Sequence, residues 1–171
     1  MDYICKIPSP VGRLTMASDG HSLTGVWLEG QKYYGATLEG KAEIRDTPVF
    51  DLARNWLQVY FSGGQPDFFL PLAPRGSVFR QAVWKLLCRI PYGTVITYGS
   101  IAAELNNLKS QNHTSARAVG GAVGHNPISI LIPCHRVVGS NGNLTGYAGG
   151  IDKKIQLLRL EQVAAANLHF R

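Results

Sequence analysis

An α/β chain in two parts is the fold class this sequence predicts: an N-terminal antiparallel sheet with one helix, then a mostly helical part containing a helix-turn-helix. Three observations carry that expectation. The hydrophobic period changes from short Pro- and Gly-punctuated runs to helical spacing at residues 47–62, a Pro-rich connector follows, and the excess positive charge lies almost wholly beyond it. With 171 residues, 45% of them hydrophobic, the chain can build one or two small domains. No apolar run nears the roughly 20 residues of a membrane span. The start MDYICKIPSP lacks the basic-then-apolar pattern of a secretory signal. The three cysteines, Cys5, Cys88 and Cys134, are odd in number and scattered, which argues against a disulfide framework and a CxxC zinc pair and for a reducing, cytoplasmic compartment.

Residues 3–7, 14–17 and 23–28 are runs too short for helices, separated by turns at Ser9-Pro10-Val11-Gly12 and at Asp19-Gly20, so an antiparallel meander is expected. Phe50, Ala53, Leu57, Tyr60 and Phe61 then recur at helical spacing behind a Thr47 cap and Pro48. Residues 65–75, with Pro66, Pro71 and Pro74, mark the boundary between a first domain, 1–75, and a second, 76–171. The second opens with Ser77 as a cap and Phe79, Val83, Leu86, Leu87 and Ile90 on one stripe. Short helices over 98–105 and 116–123, the latter capped by Thr114 or Ser115, frame a polar turn and make the helix-turn-helix. Residues 128–132 read as a buried extended segment between Pro127 and Pro133. A Gly-rich loop, 139–150, and a helix from about Asp152 complete the chain.

Residues 1–75 hold 7 Lys+Arg against 8 Asp+Glu, net −1, whereas residues 76–171 hold 10 against 3, net +7. That asymmetry favours a polyanion partner for the second half. Within it, Cys134 follows an apolar run and a proline, where the chain turns into a new element and backbone N–H dipoles can stabilise a thiolate; His135 and Arg136 stand beside it. Cys5 and Cys88 read as small buried hydrophobes. An imidazole that takes a thiol proton needs its other nitrogen held by an acceptor, and Glu161, among Leu157, Leu158 and Leu160, is the candidate. The alternative for Glu161 is a surface pair with Arg159 or Lys154. A Cys-His-Asn hydrolase using His135 or His125 with Asn126 is a further arrangement, without a papain-like signature. The stretch Ser115-Ala116-Arg117-Ala118-Val119-Gly120-Gly121-Ala122 has one long polar side chain, too few to read base edges; its small residues suit close approach to a sugar-phosphate wall or tight helix packing.

The segments Ile130-Leu131-Ile132-Pro133-Cys134-His135-Arg136-Val137, Arg117-Ala118-Val119-Gly120, Asn126-Pro127, Gly146-Tyr147-Ala148-Gly149-Gly150 and Leu157-Leu158-Arg159-Leu160-Glu161 resemble the O6-alkylguanine-DNA alkyltransferases over about residues 77–162. The resemblance implies an RNase H-like N-terminal part and direct reversal of O6-alkylguanine damage, with O4-alkylthymine as a further substrate. It implies a single-turnover methyltransferase that takes the alkyl group irreversibly onto Cys134. The partner it implies is double-stranded DNA, bound through the minor groove without sequence preference by a monomer, with no membrane and a cytoplasmic location, or a nuclear one in a eukaryote.

The same resemblance implies the roles of individual residues. Arg117 fills the place of a flipped base; Tyr98 crowds the phosphate and presents its hydroxyl to guanine N3. The carbonyls of Cys134 and Val137 accept from the exocyclic amine, the Ala148 N–H donates toward O6, and Tyr147 and Ser129 belong to the pocket. Asn126 braces the active-site turn, while His135, through a water and held by Glu161, draws the proton from Cys134. Thr114, Ser115, Ala116, Gly120 and Arg136 join Arg117 and Tyr98 at the DNA face. No cofactor is implied. The two-Cys, two-His zinc site of some relatives is not expected, since only Cys5 and His21 precede position 80. Three departures stand out: a longer turn between Tyr98 and Arg117, Ser129 where some relatives carry proline, and Ala148 where some carry serine. A second hypothesis is a helix-turn-helix regulator whose cysteine senses oxidants.

Overall fold

The structure, a computed structural model, describes residues 1–108 and 113–169. It forms two compact units, Met1–Gly76 with Pro127–Ser129, and Ser77–Asn126 with Ile130–Arg171. In the first, strands β1 (Asp2–Ile7), β2 (Leu14–Ser18) and β3 (Leu23–Leu28) make the antiparallel meander, with Cys5 opposite Met16 and Met16 opposite Val26. Its turns need Gly12 and Gly20, whose φ of 108° and 102° would strain any side chain. A fourth strand, β4 (Ala42–Ile44), pairs parallel to β1 and gives the order β3-β2-β1-β4, so the sheet is mixed rather than wholly antiparallel. Nothing in the sequence announces β4: it is three residues long, with Glu43 in the middle and Ile44 exposed.

Helix α1 (Pro48–Phe61) lays Val49, Phe50, Ala53, Leu57 and Tyr60 into the core, each large apolar side chain contributing about 1.5–3 kcal/mol by burial. Thr47 holds the cap position without capping: its buried hydroxyl has no hydrogen-bond partner among the described residues, and the backbone closes the first turn, Phe50 N donating to Thr47 O at 2.9 Å. Asp2 fastens the start of β1. Its buried carboxylate accepts two bonds of 2.8 Å from Arg75 and one of 2.7 Å from Glu39 N. The open edge of β3 is covered by two passing segments. Leu23 N donates to Pro71 O (2.9 Å) and Ala73 N to Leu23 O (2.7 Å), while Val26 N donates to Pro127 O (2.8 Å) and Ser129 N to Val26 O (2.9 Å).

The second unit begins with α2 (Val78–Leu87), capped by the Ser77 hydroxyl, which accepts from Arg80 N. Its core face, Val83, Trp84, Leu86 and Leu87, is buried, and the Trp84 indole donates to Ala122 O at 2.9 Å. Next come β5 (Ile96–Thr97), α3 (Tyr98–Leu108) and α4 (Ala116–Gly124), the last capped by Ser115, whose hydroxyl accepts from Ala118 N at 3.1 Å. Helix α3 runs three residues past its expected end at 105, because Asn106 becomes the clasp of the turn. Its amide oxygen accepts from Thr114 N at 2.6 Å, and its amide nitrogen donates to Thr114 O at 3.0 Å. The middle of the longer turn expected before Arg117, residues 109–112, lies outside the described residues.

Residues 128–132 are buried but not extended. Ile128 makes a single bridge to Val26, and the chain then turns through Ile130 at φ 72°, a left-handed conformation that a β-branched residue rarely adopts. A single 3₁₀ turn, Cys134–Arg136, leads into β6 (Val137–Val138), which pairs parallel to β5. Helix α5 (Ile151–Leu160) follows the Gly-rich loop, and the tail returns along that loop: Leu144 N donates to His169 O and His169 N to Gly142 O, both at 2.9 Å. Val138, Leu144, Leu158, Val163 and Leu168 form the small core beneath it. Among the described residues no helix is long and apolar enough to cross a membrane.

Candidate active site

Proline at 133 and the strained turn before it leave Cys134 only one short helical turn, with Cys134 N already bonded to Ile132 O at 2.7 Å. The thiol is 4% exposed, and burial pushes its pKa up. Against burial work the Asn126 amide, the charge of Lys154, the Cys134 backbone N–H and the Tyr147 hydroxyl. Of the helix start and adjacent cations expected to favour an anionic sulfur, the helix is one 3₁₀ turn and the Arg136 guanidinium turns to Glu161.

His135, fully buried, sets Nε2 2.6 Å from Glu161 Oε1. Burial is the largest influence on its pKa and lowers it; the Glu161 carboxylate pulls it back up, and the charges of Arg136 and Lys154 reinforce the lowering. The imidazole is therefore neutral at pH 7. Bonded to a carboxylate, Nε2 carries the proton, which leaves the lone pair on Nδ1. Glu161 sits at the end of α5, where it also accepts from Arg136 Nε at 2.8 Å, Arg136 Nη2 at 3.0 Å and Gly93 N at 3.1 Å. Burial raises its pKa, and the bonds from His135 and Arg136 overcome that and hold it at about 2. The surface pairing of Glu161 with Arg159 or Lys154 does not form.

Arg136 has a different place from the one the resemblance implied. It is 8% exposed, its guanidinium spent on Glu161 and on Ile90 O at 2.7 Å and lying over the Tyr92 ring, so it faces the interior rather than a DNA backbone. Asn126 is buried, its amide nitrogen donating to Ile132 O at 2.8 Å and its side chain also bonded to the Cys134 sulfur, so one amide braces the turn and meets the nucleophile. Tyr98, first in α3, donates to Thr145 O at 3.3 Å; burial first, then the neighbouring Cys134, pushes its pKa to about 12. The Tyr147 hydroxyl is buried without a hydrogen-bond partner among the described residues, and burial first, then the neighbouring Cys134, keeps it protonated. Val137 is buried, Ala148 half-buried on the same loop as Tyr147.

The second helix of the helix-turn-helix carries Ser115, Ala116 and Arg117 on its exposed first turn, while Thr114 is buried in the Asn106 clasp. Gly120 faces the Tyr98 ring, where an added Cβ would sit 3.9 Å from it. Ser129 belongs to the first unit, its hydroxyl donating to Gln31 Oε1 at 3.2 Å. Among the described residues no group of three or more His, Cys, Asp or Glu side chains could hold a metal.

Sequence reasoning missed Lys154. It is completely buried, with Nζ donating to Val137 O at 2.6 Å and to Thr145 O and Gly146 O at 3.2 Å each. Its signal was its spacing, three and four residues before Leu157 and Leu158 on the inward stripe of α5.

Two family models match in sequence order: the ribonuclease-like domain of 6-O-methylguanine DNA methyltransferase over residues 3–74 and its DNA binding domain over residues 78–163. The chain belongs to that family. The Haemophilus influenzae methylated-DNA–protein-cysteine methyltransferase is 44% identical over 162 residues, covering 94% of this chain and 87% of that one. The relative of the same name from Methanosarcina mazei is 48% identical over 166 residues, 94% and 97% of the two chains. Among solved structures, Mycobacterium tuberculosis OGT in complex with DNA superposes with a TM-score of 0.81 at 42% identity, covering 94% of this chain and 92% of that one. The methyltransferase of Pyrococcus kodakaraensis gives 0.69 at 26% identity. The family's ribonuclease-like domain accounts for the first unit's sheet with a helix, and its DNA binding domain for the helix-turn-helix and the cysteine turn.

Proposed function

We propose that Cys134 is the acceptor in this protein's reaction. The protein is a methylated-DNA–protein-cysteine methyltransferase and repairs DNA by transferring an alkyl group from a damaged base to one of its own cysteines. The single observation that carries the assignment to Cys134 is its surroundings: a buried thiol whose ionised form the Asn126 amide and the Lys154 charge favour, followed directly by a neutral, Glu161-anchored imidazole. Cys5, whose pKa burial lifts to about 11 despite the neighbouring Arg54, is followed by Lys6 rather than by an imidazole.

His135 Nδ1 takes the thiol proton, directly or through one water, while Glu161 stabilises the imidazolium that forms. The thiolate attacks the alkyl carbon in line; the S–C bond forms, the C–O6 bond breaks, and its electron pair leaves with guanine, which takes up a proton in place of the one the thiol gave to His135. Tyr98, kept protonated, supplies a hydrogen bond to the purine N3. The main chain of residues 134–137 and 147–148 frames the base, with Val137 O and Cys134 O toward the exocyclic amine and Ala148 N toward O6. O4-alkylthymine enters the same pocket. The thioether that results has no second nucleophile to remove it, so each molecule acts once.

DNA is the partner. The exposed first turn of α4, with Ser115, Ala116 and Arg117 and small residues behind, suits minor-groove docking of a monomer without sequence preference, Arg117 filling the stack that the flipped base leaves. Three free cysteines fit a reducing cytoplasm. The oxidant-sensing regulator reading loses ground to the burial of Cys134, which withholds the exposed thiolate that sensing needs. The Cys134→Ser protein tests the assignment: it should bind duplex DNA carrying O6-methylguanine like wild type and transfer nothing. Undiminished transfer by that variant would overturn it.

A further inference from the structure

Helix α4, whose exposed first turn carries Ser115, Ala116 and Arg117, is reached from α3 by the long turn between Leu108 and Ala116. A longer connection costs little extra to close, but it leaves the direction of the second helix to whatever ties the two ends together. That tie is Asn106. Its amide oxygen accepts from Thr114 N at 2.6 Å and its amide nitrogen donates to Thr114 O at 3.0 Å, so one side chain grips both main-chain groups of the residue before the cap. Asn106 belongs to α3 and follows the buried Leu105, so the grip is anchored in a helix rather than in the turn it closes. Thr114 is buried, which leaves its N–H and C=O little water to stand in for those bonds.

Position passes from Thr114 to Arg117 within one helical turn. Ser115 follows Thr114 directly and caps α4, its hydroxyl accepting from Ala118 N and its carbonyl from Val119 N, both at 3.1 Å. Arg117 therefore leaves the helix from a turn whose start is fixed by α3. The body of α4 is seated by other means: Val119, Ala122 and Val123 are buried, and the Trp84 indole donates to Ala122 O at 2.9 Å. Those contacts lie behind Arg117, whereas the clasp holds the tip in front of it. Only an amide suits the place. A carboxylate could accept from Thr114 N but would set its second oxygen against Thr114 O, and a methyl group could do neither.

We infer that Asn106 is a positioning residue for DNA: by clasping Thr114 it fixes the first turn of α4, and with it the Arg117 side chain, for docking on the duplex. The inference rests on the reading that this turn meets DNA and that Arg117 fills the emptied stack. Its consequence is a division by substrate. A free base reaches Cys134 without the tip of α4. A lesion in a duplex has to be extruded and its place filled, and that step depends on where Arg117 stands.

Single-turnover rates with O6-methylguanine in duplex DNA and with free O6-benzylguanine test this in wild type, Asn106→Ala, Asn106→Asp, Arg117→Ala and the combined Asn106→Ala, Arg117→Ala protein. Both single Asn106 variants should repair the duplex about tenfold more slowly, and label with the free base within about twofold of wild type. Because Asn106 acts through Arg117, the combined variant should lose little more on the duplex than Arg117→Ala alone. Equal losses on the two substrates, an undiminished duplex rate, or losses that multiply in the combined variant would overturn the inference. Should the alanine variant fail to fold, the aspartate variant carries the same comparison, and hydrogen exchange in the wild-type protein tests the clasp itself. The Thr114 amide should be as protected as that of Val119; exchange at the rate of an open chain would sink the proposal. An Arg117→Ala protein that repairs the duplex at the wild-type rate would remove the docking reading, and the role of Asn106 with it.

Discussion

At the scale of single residues, the site is a set of charges buried in mutual contact, and their pKa shifts make pH predictions. Glu161 has a folded pKa depressed to about 2, so the stability it contributes is present above its unfolded value of about 4.3 and is lost as pH falls from there toward 2. That contribution is on the order of 3 kcal/mol. His135 is a base with a lowered folded pKa; the unfolded chain binds its proton first, so stability already declines as pH drops below about 6.5. Urea unfolding from pH 8 to 3 should therefore show one loss beginning near pH 6.5 and a second below about 4.5. A flat profile would contradict the buried His135–Glu161 pair. Replacing Glu161 by Gln leaves the Arg136 guanidinium buried without its carboxylate, for which about 3–5 kcal/mol of destabilisation is expected, together with a higher pH midpoint for Cys134 alkylation.

Residue identity was legible in the sequence wherever a motif fixed it, as for Cys134, His135 and Glu161, the last two of which the fold bonds to one another. What the sequence could not display is direction. Arg136 is adjacent to the nucleophile in sequence, and its position alone could not tell an interior guanidinium from one aimed at phosphate; only the carboxylate of Glu161, 25 residues on, decides that. Lys154 posed the same difficulty, since a lysine on an apolar stripe usually snorkels to solvent, whereas here carbonyl oxygens from two other segments hold its ammonium inside.

At the scale of elements, periodicity located the helices, and local strain decided what periodicity could not. The apolar run 128–132 has the composition of a strand, yet it pairs with β3 only through the single bridge of Ile128 to Val26, and the chain turns at Ile130 before Pro133, which has no N–H to continue a ladder. β4 escaped notice because so short a strand, largely exposed, carries no alternation. The tail is held to the active-site loop at one tight point: a Cβ on Gly142, already at φ 77°, would lie 2.0 Å from Asn167 O. Gly142→Ala should therefore destabilise the protein by about 1–3 kcal/mol, read by thermal melting, and slow transfer by loosening the loop that carries Tyr147. An alanine protein with unchanged melting temperature would show that the tail does not brace the loop. For the helix-turn-helix, Arg117→Ala should depress repair of O6-methylguanine in duplex DNA while sparing reaction with free O6-benzylguanine. Equal losses on both substrates would refute the stack-filling role.

For the whole molecule, charge and chemistry are unevenly distributed: residues 76–171 hold 10 Lys+Arg against 3 Asp+Glu. Two of those basic residues, Arg136 and Lys154, are buried, so the electrostatic attraction to DNA falls to the exposed remainder, Arg117 among them. Raising salt should weaken DNA binding steeply and leave reaction with the free base nearly unchanged, because counterion release acts only where phosphates are engaged. The central claim is that one sulfur takes one alkyl group and keeps it. Peptide-resolved mass spectrometry of the protein after incubation with excess O6-methylguanine duplex tests that directly. The expected result is a single methyl adduct, on the peptide containing Cys134, reaching one per molecule and going no further. Methylation of Cys5 or Cys88 in its place, or methyl turnover that continues past one per molecule, would contradict it.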